Sequence, residues 1–367
     1  MPEKTYSQHL LHEASSLEVA ALSPSSGSAG WSCPSNIALI KYWGKRPVQV
    51  PMNPSLSMTL DEARTHTRID FAFDPADTDP SFSFSFEGQQ VPAFARRIEG
   101  YLTSITPYMP LLKHTSLQIE SRNTFPHSSG IASSASAMGA LALCLMEMEQ
   151  TVTGKSHPDE FMKKASFLAR LGSGSASRSL FPQFSLWGRS DGWSGSSDEF
   201  AIPYSGFHPS FGNLKDTILI VEAEAKKVSS SAGHGLMETN PYARVRFTQA
   251  REHLGGIRKA LETGDWERFI EIMEMEAFAL HAMMLTGRPG YLLMQPGTLS
   301  IVQKVRTFRK DTGSRAGFTL DAGANVHLIY SGDNTARMDE FISSELLPHC
   351  ENGKAIGDMM GDGPQRM

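Results

Sequence analysis

The sequence predicts an α+β fold. Strand and helix signals mix along the chain without a regular β-α-β alternation, which favours α+β over a doubly wound parallel sheet. Apolar residues alternate with polar ones in the early part, whereas three- and four-residue apolar spacing governs the later part, the periods of strand and helix respectively. Hydrophobic residues make up 40% and charged residues 20% of the 367 positions, which supports packed cores and rules out wholesale disorder. At about 150 residues per domain, two domains are the prior.

Taken in order, residues 1–30 are expected to form a flexible extension, because residues 23–30 read SPSSGSAG, a linker composition. An apolar strand follows from Trp31. Ile69, Phe71 and Phe73 alternate with other residues, as do Phe82, Phe84 and Phe86, and Leu117 with Ile119; each reads as a strand. Helices are expected over 134–149 and 157–171, the second with Pro158 in its first turn. A strand at 217–221 precedes helices at 245–262, 265–285 and 299–310. In the second of these, Trp266, Phe269, Ile270, Met273, Ala277 and Leu280 form the buried stripe. Strands at 318–320 and 326–330 flank the turn 321–325. From Glu351 on, no apolar period is visible, and residues 351–367 are expected to fray.

Several functional classes are excluded. The net charge is −5 and the pI about 6.2, whereas a nucleic-acid binder is usually basic. No apolar run reaches the roughly 20 residues of a membrane span; residues 135–146 are interrupted by Ser136 and Gly139. Met1-Pro2-Glu3-Lys4 opens no apolar signal region, so a cytoplasmic protein is expected. Cys33, Cys144 and Cys350 are odd in number and far apart, a pattern of neither a disulfide framework nor a zinc site.

Four segments carry chemistry. Residues 126–135, Pro-His-Ser-Ser-Gly-Ile-Ala-Ser-Ser-Ala, follow a strand and open an apolar helix. Unpaired amides and the dipole at a helix start attract anions, and the hydroxyls of Ser133 and Ser134 suit phosphate or magnesium; an ordinary capped helix would read the same way. Lys41-Tyr42-Trp43-Gly44-Lys45-Arg46 sets three cations and two aromatics at a strand end, suited to a polyphosphate or carboxylate or to a solvated turn. Residues 172–180, Gly-Ser-Gly-Ser-Ala-Ser-Arg-Ser-Leu, form either an anion-binding loop or a plain connector. Asp321, in Asp-Ala-Gly-Ala-Asn, is a turn former or, beside phosphates and cations, a general base.

Together these segments resemble the GHMP kinase superfamily and, within it, the diphosphomevalonate decarboxylase family, over roughly residues 30–330. The phosphate loop resembles the superfamily signature, with Ile131 in place of Leu. The narrower resemblance rests on Asn36-Ile37-Ala38 with Lys41–Arg46, on Gly172–Ala176 with Arg178-Ser179-Leu180, and on Asp321-Ala322-Gly323 with Asn325. It implies a ribosomal protein S5 domain 2-like N-terminal domain over 31–210, a ferredoxin-like domain over 211–350, and an active site in the cleft between them. It implies ATP-dependent decarboxylation of mevalonate 5-diphosphate to isopentenyl diphosphate, with ATP as co-substrate and Mg2+. Asp321, Lys41 and Arg178 would be catalytic; Tyr42, Lys45, Ser173, Ser175 and Arg178 would hold the substrate. Ser128, Ser129, Gly130, Ala132, Ser133 and Ser134 would bind ATP, with Ser133 and Ser134 reaching the metal. A homodimer is expected, with no nucleic-acid or membrane partner.

The chain departs from the family pattern at Pro47, where Asp is usual, at His127-Ser128-Ser129, at Pro182-Gln183 in place of Gly-Gly, and at Ala324 in place of Pro. None removes a catalytic group. The competing readings are a GHMP-type kinase acting on mevalonate or its 5-phosphate, a decarboxylase of the 5-monophosphate, and a non-catalytic nucleotide-binding descendant.

Overall fold

Alternation builds the first sheet. The computed structural model describes residues 5–126, 131, 133–156, 158–223 and 230–367. The chain runs through α1 (Tyr6–Ser15), β1 (Ser25–Ala38) and a small hairpin of β2 (Lys45–Arg46) and β3 (Val50–Pro51) into β4 (Ser55–Phe73). In β4, Thr65, Thr67, Ile69, Phe71 and Phe73 are buried while the residues between them are more exposed, as a half-buried strand requires. Next come β5 (Phe82–Phe86), α2 (Pro92–Ile105) and β6 (Thr115–Asn123). β4 pairs antiparallel with β1 and β6, with Ile69 opposite Ile119 and Phe71 opposite Leu117; β5 runs parallel to β6. Helix α3 (Ser133–Thr153) packs on β1 and β4, and α4 (Pro158–Gly172) packs on α3. β7 (Phe184–Trp187) pairs with the first residues of β4, and β8 (Ala201–Tyr204) with β7.

The second sheet is antiparallel, in the order β10-β11-β9-β12. It comprises β9 (Leu214–Leu219), β10 (Ala316–Leu320), β11 (Val326–Ser331) and β12 (Ala355–Met359). Between β9 and β10 lie α5 (Ser230–Gly235), α6 (Ala243–Thr263), α7 (Trp266–Leu285) and α8 (Pro296–Thr312); α9 (Thr335–Phe341) follows β11. The stripe expected on α7 is buried as read, from Trp266 through Leu280. Glycines in the left-handed conformation end α6 at Gly264 and α8 at Gly313. Among the described residues, no helix is long and apolar enough to cross a membrane.

Both chain ends correct the sequence expectation. The extension over 1–30 contains a helix and half a strand. Thr5 caps α1 in a reciprocal capping box with Gln8, Leu10 is buried, and the Tyr6 ring packs edge-on against Phe167 and Phe200. Residues 25–30 pair with 68–73 of β4. A Cβ on Gly27 would lie 2.9 Å from the Phe71 ring, so the glycine that reads as linker makes room for that ring. The tail 351–367 is not frayed either. It supplies β12, and β13 (Gln365–Arg366) pairs with Ser32 and Trp31. Backbone pairing holds these residues, which is why no apolar period marks them.

Candidate active site

Lys41 and Asp321 come together from opposite ends of the chain. Lys41 follows β1 and Asp321 follows β10; the ammonium donates to Asp321 Oδ1 at 2.9 Å. The Lys41 side chain is 3% exposed and that of Asp321 28%, so the carboxylate reaches solvent while the ammonium beside it is buried. Burial pulls the Lys41 ammonium below its ordinary value, while Asp321 and then Glu276 oppose that pull and Arg178 adds to it. The Asp321 turn is tied down locally. Its carbonyl accepts the Gly323 N–H at 2.8 Å and a ring N–H from His281 Nε2 at 3.1 Å. The Ala324 carbonyl accepts from Thr298 Oγ1 at 2.6 Å, and Asn325 Oδ1 accepts the Val221 and Glu222 amides. Ala324 in place of Pro thus leaves the turn anchored.

Arg178 is buried and held by neutral oxygens. Its Nη1 donates to Ser55 Oγ at 2.6 Å, and Nε and Nη2 donate to Asn36 Oδ1 at 3.4 and 3.3 Å. The Ser55 hydroxyl donates in turn to the Ile40 carbonyl, one residue before Lys41. Burial lowers the Arg178 guanidinium to about 10, with Tyr42 and Asp321 opposing, so it stays charged at neutral pH. With only uncharged hydrogen-bond partners among the described residues, the buried guanidinium suits an incoming anionic group. The Tyr42 ring lies 5.5 Å from it, and burial raises the phenol to about 12. A Cβ on Gly174 would meet Trp187 at 2.7 Å and the Tyr42 hydroxyl at 3.0 Å, so only glycine lets the 172–178 loop lie against that aromatic wall. At Pro182-Gln183, Gln183 keeps a left-handed φ of 56°, the conformation a glycine would adopt without strain.

The two serine segments meet. Ser133 and Ser134 open α3 as its first residues rather than capping it from outside, and Ser134 Oγ lies 3.2 Å from Ser173 Oγ, itself 3.4 Å from Ser175 Oγ. Ser128, Ser129, Gly130 and Ala132 lie outside the described residues. A small pocket of about 100 Å³ opens beside Ser133 and Ser134, with Phe84, Phe86, Phe94 and Arg97 in its wall. Lys45, half-buried in the β2–β3 hairpin that Pro47 turns, donates to Gln49 Oε1 at 3.0 Å. Burial and then Arg97 lower its pKa.

Other residues of the site have no motif in the sequence. His234 stacks 4.6 Å from the Tyr42 ring and 4.6 Å from Trp43, and its Nδ1 accepts the Gly44 N–H at 3.0 Å. Arg246 and Glu276 reach the Lys41 backbone from α6 and α7. For Glu276 one signal existed: a charge on the α7 stripe between Met273 and Leu280. His234 and Arg246 offered none.

Comparison with known proteins gives consistent results. Residues 33–200 match the family model described as diphosphomevalonate decarboxylase-like N-terminal domain, and residues 217–360 that of the mevalonate 5-diphosphate decarboxylase C-terminal domain. A diphosphomevalonate decarboxylase of Ganoderma lucidum is 30% identical over 345 residues, covering 88% of this chain and 83% of the relative. The solved mevalonate diphosphate decarboxylase of Staphylococcus aureus superposes with a TM-score of 0.80 at 28% identity, over 94% of this chain and 98% of that one. A structure described as MDDEF in complex with MVAPP, AMPPCP and magnesium superposes with a TM-score of 0.78 at 29% identity, over 94% and 99%.

Proposed function

The chain belongs to the diphosphomevalonate decarboxylase family, and from that premise we propose how its residues divide the reaction. The protein catalyses the ATP-dependent decarboxylation of mevalonate 5-diphosphate. Asp321 takes the proton of the substrate's tertiary hydroxyl as that oxygen attacks the γ-phosphorus of ATP, and ADP departs. Lys41 keeps Asp321 ionised and offsets negative charge gathering on the transferring group. The tertiary phosphate then leaves, the carbon becomes electron-deficient, and the C–C bond to the carboxylate supplies the electrons of the new alkene as carbon dioxide is released. Arg178 holds that carboxylate, while Tyr42, Lys45, Ser173 and Ser175 hold the diphosphate end.

The nucleotide binds at the start of α3. The apolar, phenylalanine-walled pocket beside Ser133 and Ser134 has the lining of a base site. Magnesium favours oxygen ligands and keeps substrate phosphates among them. The Ser133 and Ser134 hydroxyls fit an ion carried in with ATP, and no acidic cluster of metal-binding size occurs among the described residues. Bound there, the ion supplies charge neutralisation to the phosphates.

The observation that carries the reading is the 2.9 Å Lys41–Asp321 ion pair, with Asp321 partly exposed and Lys41 buried beneath it. Purified protein with ATP, magnesium and mevalonate 5-diphosphate is expected to release carbon dioxide, ADP and phosphate in equal amounts. Asp321→Asn is expected to lower turnover by about a thousandfold while ATP affinity, measured with a fluorescent nucleotide, stays within about threefold. An Asn variant with near-normal turnover would remove Asp321 from the role of base. ADP released without carbon dioxide would mark a kinase.

A further inference from the structure

We infer that helix α7 is the gauge that sets the Lys41–Asp321 contact, with Glu276 and His281 as positioning residues that each fix the backbone of one partner. The inference deepens the reading of Asp321 as base and Lys41 as its cation, and rests on it.

Glu276 is a carboxylate with no exposed surface, on a helix face otherwise built from Met273, Ala277 and Leu280. An apolar side chain there would serve packing without the desolvation penalty of a buried charge. What the carboxylate does instead is grip a peptide group of the catalytic lysine. Glu276 Oε2 accepts the Lys41 backbone N–H at 2.8 Å. The carboxylate is itself held by Arg246, whose Nη1 reaches Oε1 at 2.8 Å and whose Nη2 contacts Oε2, and by His253 Nδ1 at 2.6 Å. Arg246 Nη2 also donates to the Lys41 carbonyl at 3.1 Å, beside Asn53 Nδ2 at 3.0 Å. Both peptide groups flanking the Lys41 Cα are therefore fixed, on one side by α7 and on the other by a guanidinium that α7 orients.

The second anchor lies further along the same helix. His281 is buried, and burial lowers its pKa to about 4, so it is neutral at physiological pH. Its Nε2–H donates to the Asp321 carbonyl at 3.1 Å. From 276 to 281 is about 7.5 Å of helix rise, a rigid spacing between a point bound to Lys41 and a point bound to Asp321. Neither anchor touches the reacting side-chain atoms. Both act on the main chain that aims them, so a loss at either should appear in the chemical step rather than in substrate binding.

The test is a double-mutant cycle on the full-length protein, read as the single-turnover rate of ADP formation with saturating ATP, magnesium and mevalonate 5-diphosphate. Glu276→Gln is expected to slow that rate at least about tenfold with both KM values within about threefold. In a Lys41→Met background, the same change is expected to cost less than about twofold, because the cation being aimed is already gone. Arg246→Lys, which keeps the charge but cannot bridge Glu276 and the Lys41 carbonyl at once, runs the same cycle should Glu276→Gln not fold. His281→Phe is expected to slow the step, and His281→Gln, whose amide nitrogen can occupy the place of Nε2, to recover most of it. A merely structural role predicts a lower melting temperature with an unchanged rate per folded molecule, or a loss undiminished in the Lys41→Met background; either result overturns the inference and leaves the base assignment standing. Wild-type turnover in Lys41→Met alone overturns the lysine's role and the inference with it.

Discussion

A histidine buried between two aromatic rings carries a cost in acid. His234 stacks on Tyr42 and Trp43 and accepts the Gly44 amide; burial, and then Lys45, lower its pKa from 6.5 to about 3. The folded protein therefore resists a proton that the unfolded chain accepts below pH 6.5, so stability is full above that value and is lost as pH falls toward the folded pKa. His281 adds to the loss, since it too is held neutral, down to about 4. The melting temperature is expected to drop from about pH 6.5 down to about 4, and to drop less steeply in His234→Phe, which keeps the stacked ring and removes the proton site. Equal slopes in the two proteins would show that His234 does not set the acid limb. This residue also marks where sequence reading stops. Lys41 and Arg178 stand out in the sequence because cations, hydroxyls or glycines gather around them, whereas Asp321 stands out only through the family pattern that its turn resembles. His234, Arg246 and His281 are not, because their partners are peptide groups or rings brought in by the fold from far along the chain, and a lone histidine or arginine on a helix carries no spacing to read.

At the scale of elements, legibility follows what holds each one. Helices α6, α7 and α8 bury a continuous stripe, and their periods place them within a few residues of their observed ends. The first half of β1 hides because the facing side chains on β4 do the packing, and small residues make room for them. β7 and β8 are only four residues each, too short for alternation to stand out. A close approach of helix to sheet shows the same division of labour. A Cβ on Gly139 of α3 would lie 2.5 Å from Cys33 Sγ on β1 and 3.3 Å from Leu180, so glycine sets how near α3, with Ser133 and Ser134 at its start, sits to the sheet. Gly139→Ala gains up to about 1 kcal/mol of helix propensity but overpacks the contact, and a net loss of about 1 to 2 kcal/mol is expected by denaturant unfolding. Adding Cys33→Ala removes the sulfur and is expected to restore most of that loss. A more stable Gly139→Ala single variant would show that the gap has slack.

The whole molecule is divided by its family matches between residues 200 and 217, yet its packing does not divide there. One buried cluster joins Ile37, Leu39, Leu56 and Met58 of the first part to Phe211, Leu254, Phe269 and Ile270 of the second. The C-terminal strand ties the two again. Asp358 Oδ1 accepts the Asp61 and Glu62 amides at 2.8 and 2.9 Å, and Oδ2 the Ala63 amide at 2.9 Å, while the Gly361 amide donates to the Thr59 carbonyl at 2.9 Å. A tail read as frayed is thus the strap that holds β4 against the second sheet, and the reason it escaped notice is that a single carboxylate and main-chain bonds do the holding. A buried cluster shared by both parts makes them melt together, so calorimetry is expected to show one unfolding transition. Asp358→Asn keeps the shape but turns an N–H2 group toward amides that need an acceptor. One buried donor left unmatched costs about 1 to 3 kcal/mol, so the melting temperature of a single unit of this length is expected to fall by roughly 1 to 4 °C. The transition should stay single, because the shared apolar cluster is untouched. Two separated transitions in Asp358→Asn would mean that the strap, and not the common core, couples the halves; an unchanged melting temperature would mean that the three amides find water as readily as the carboxylate.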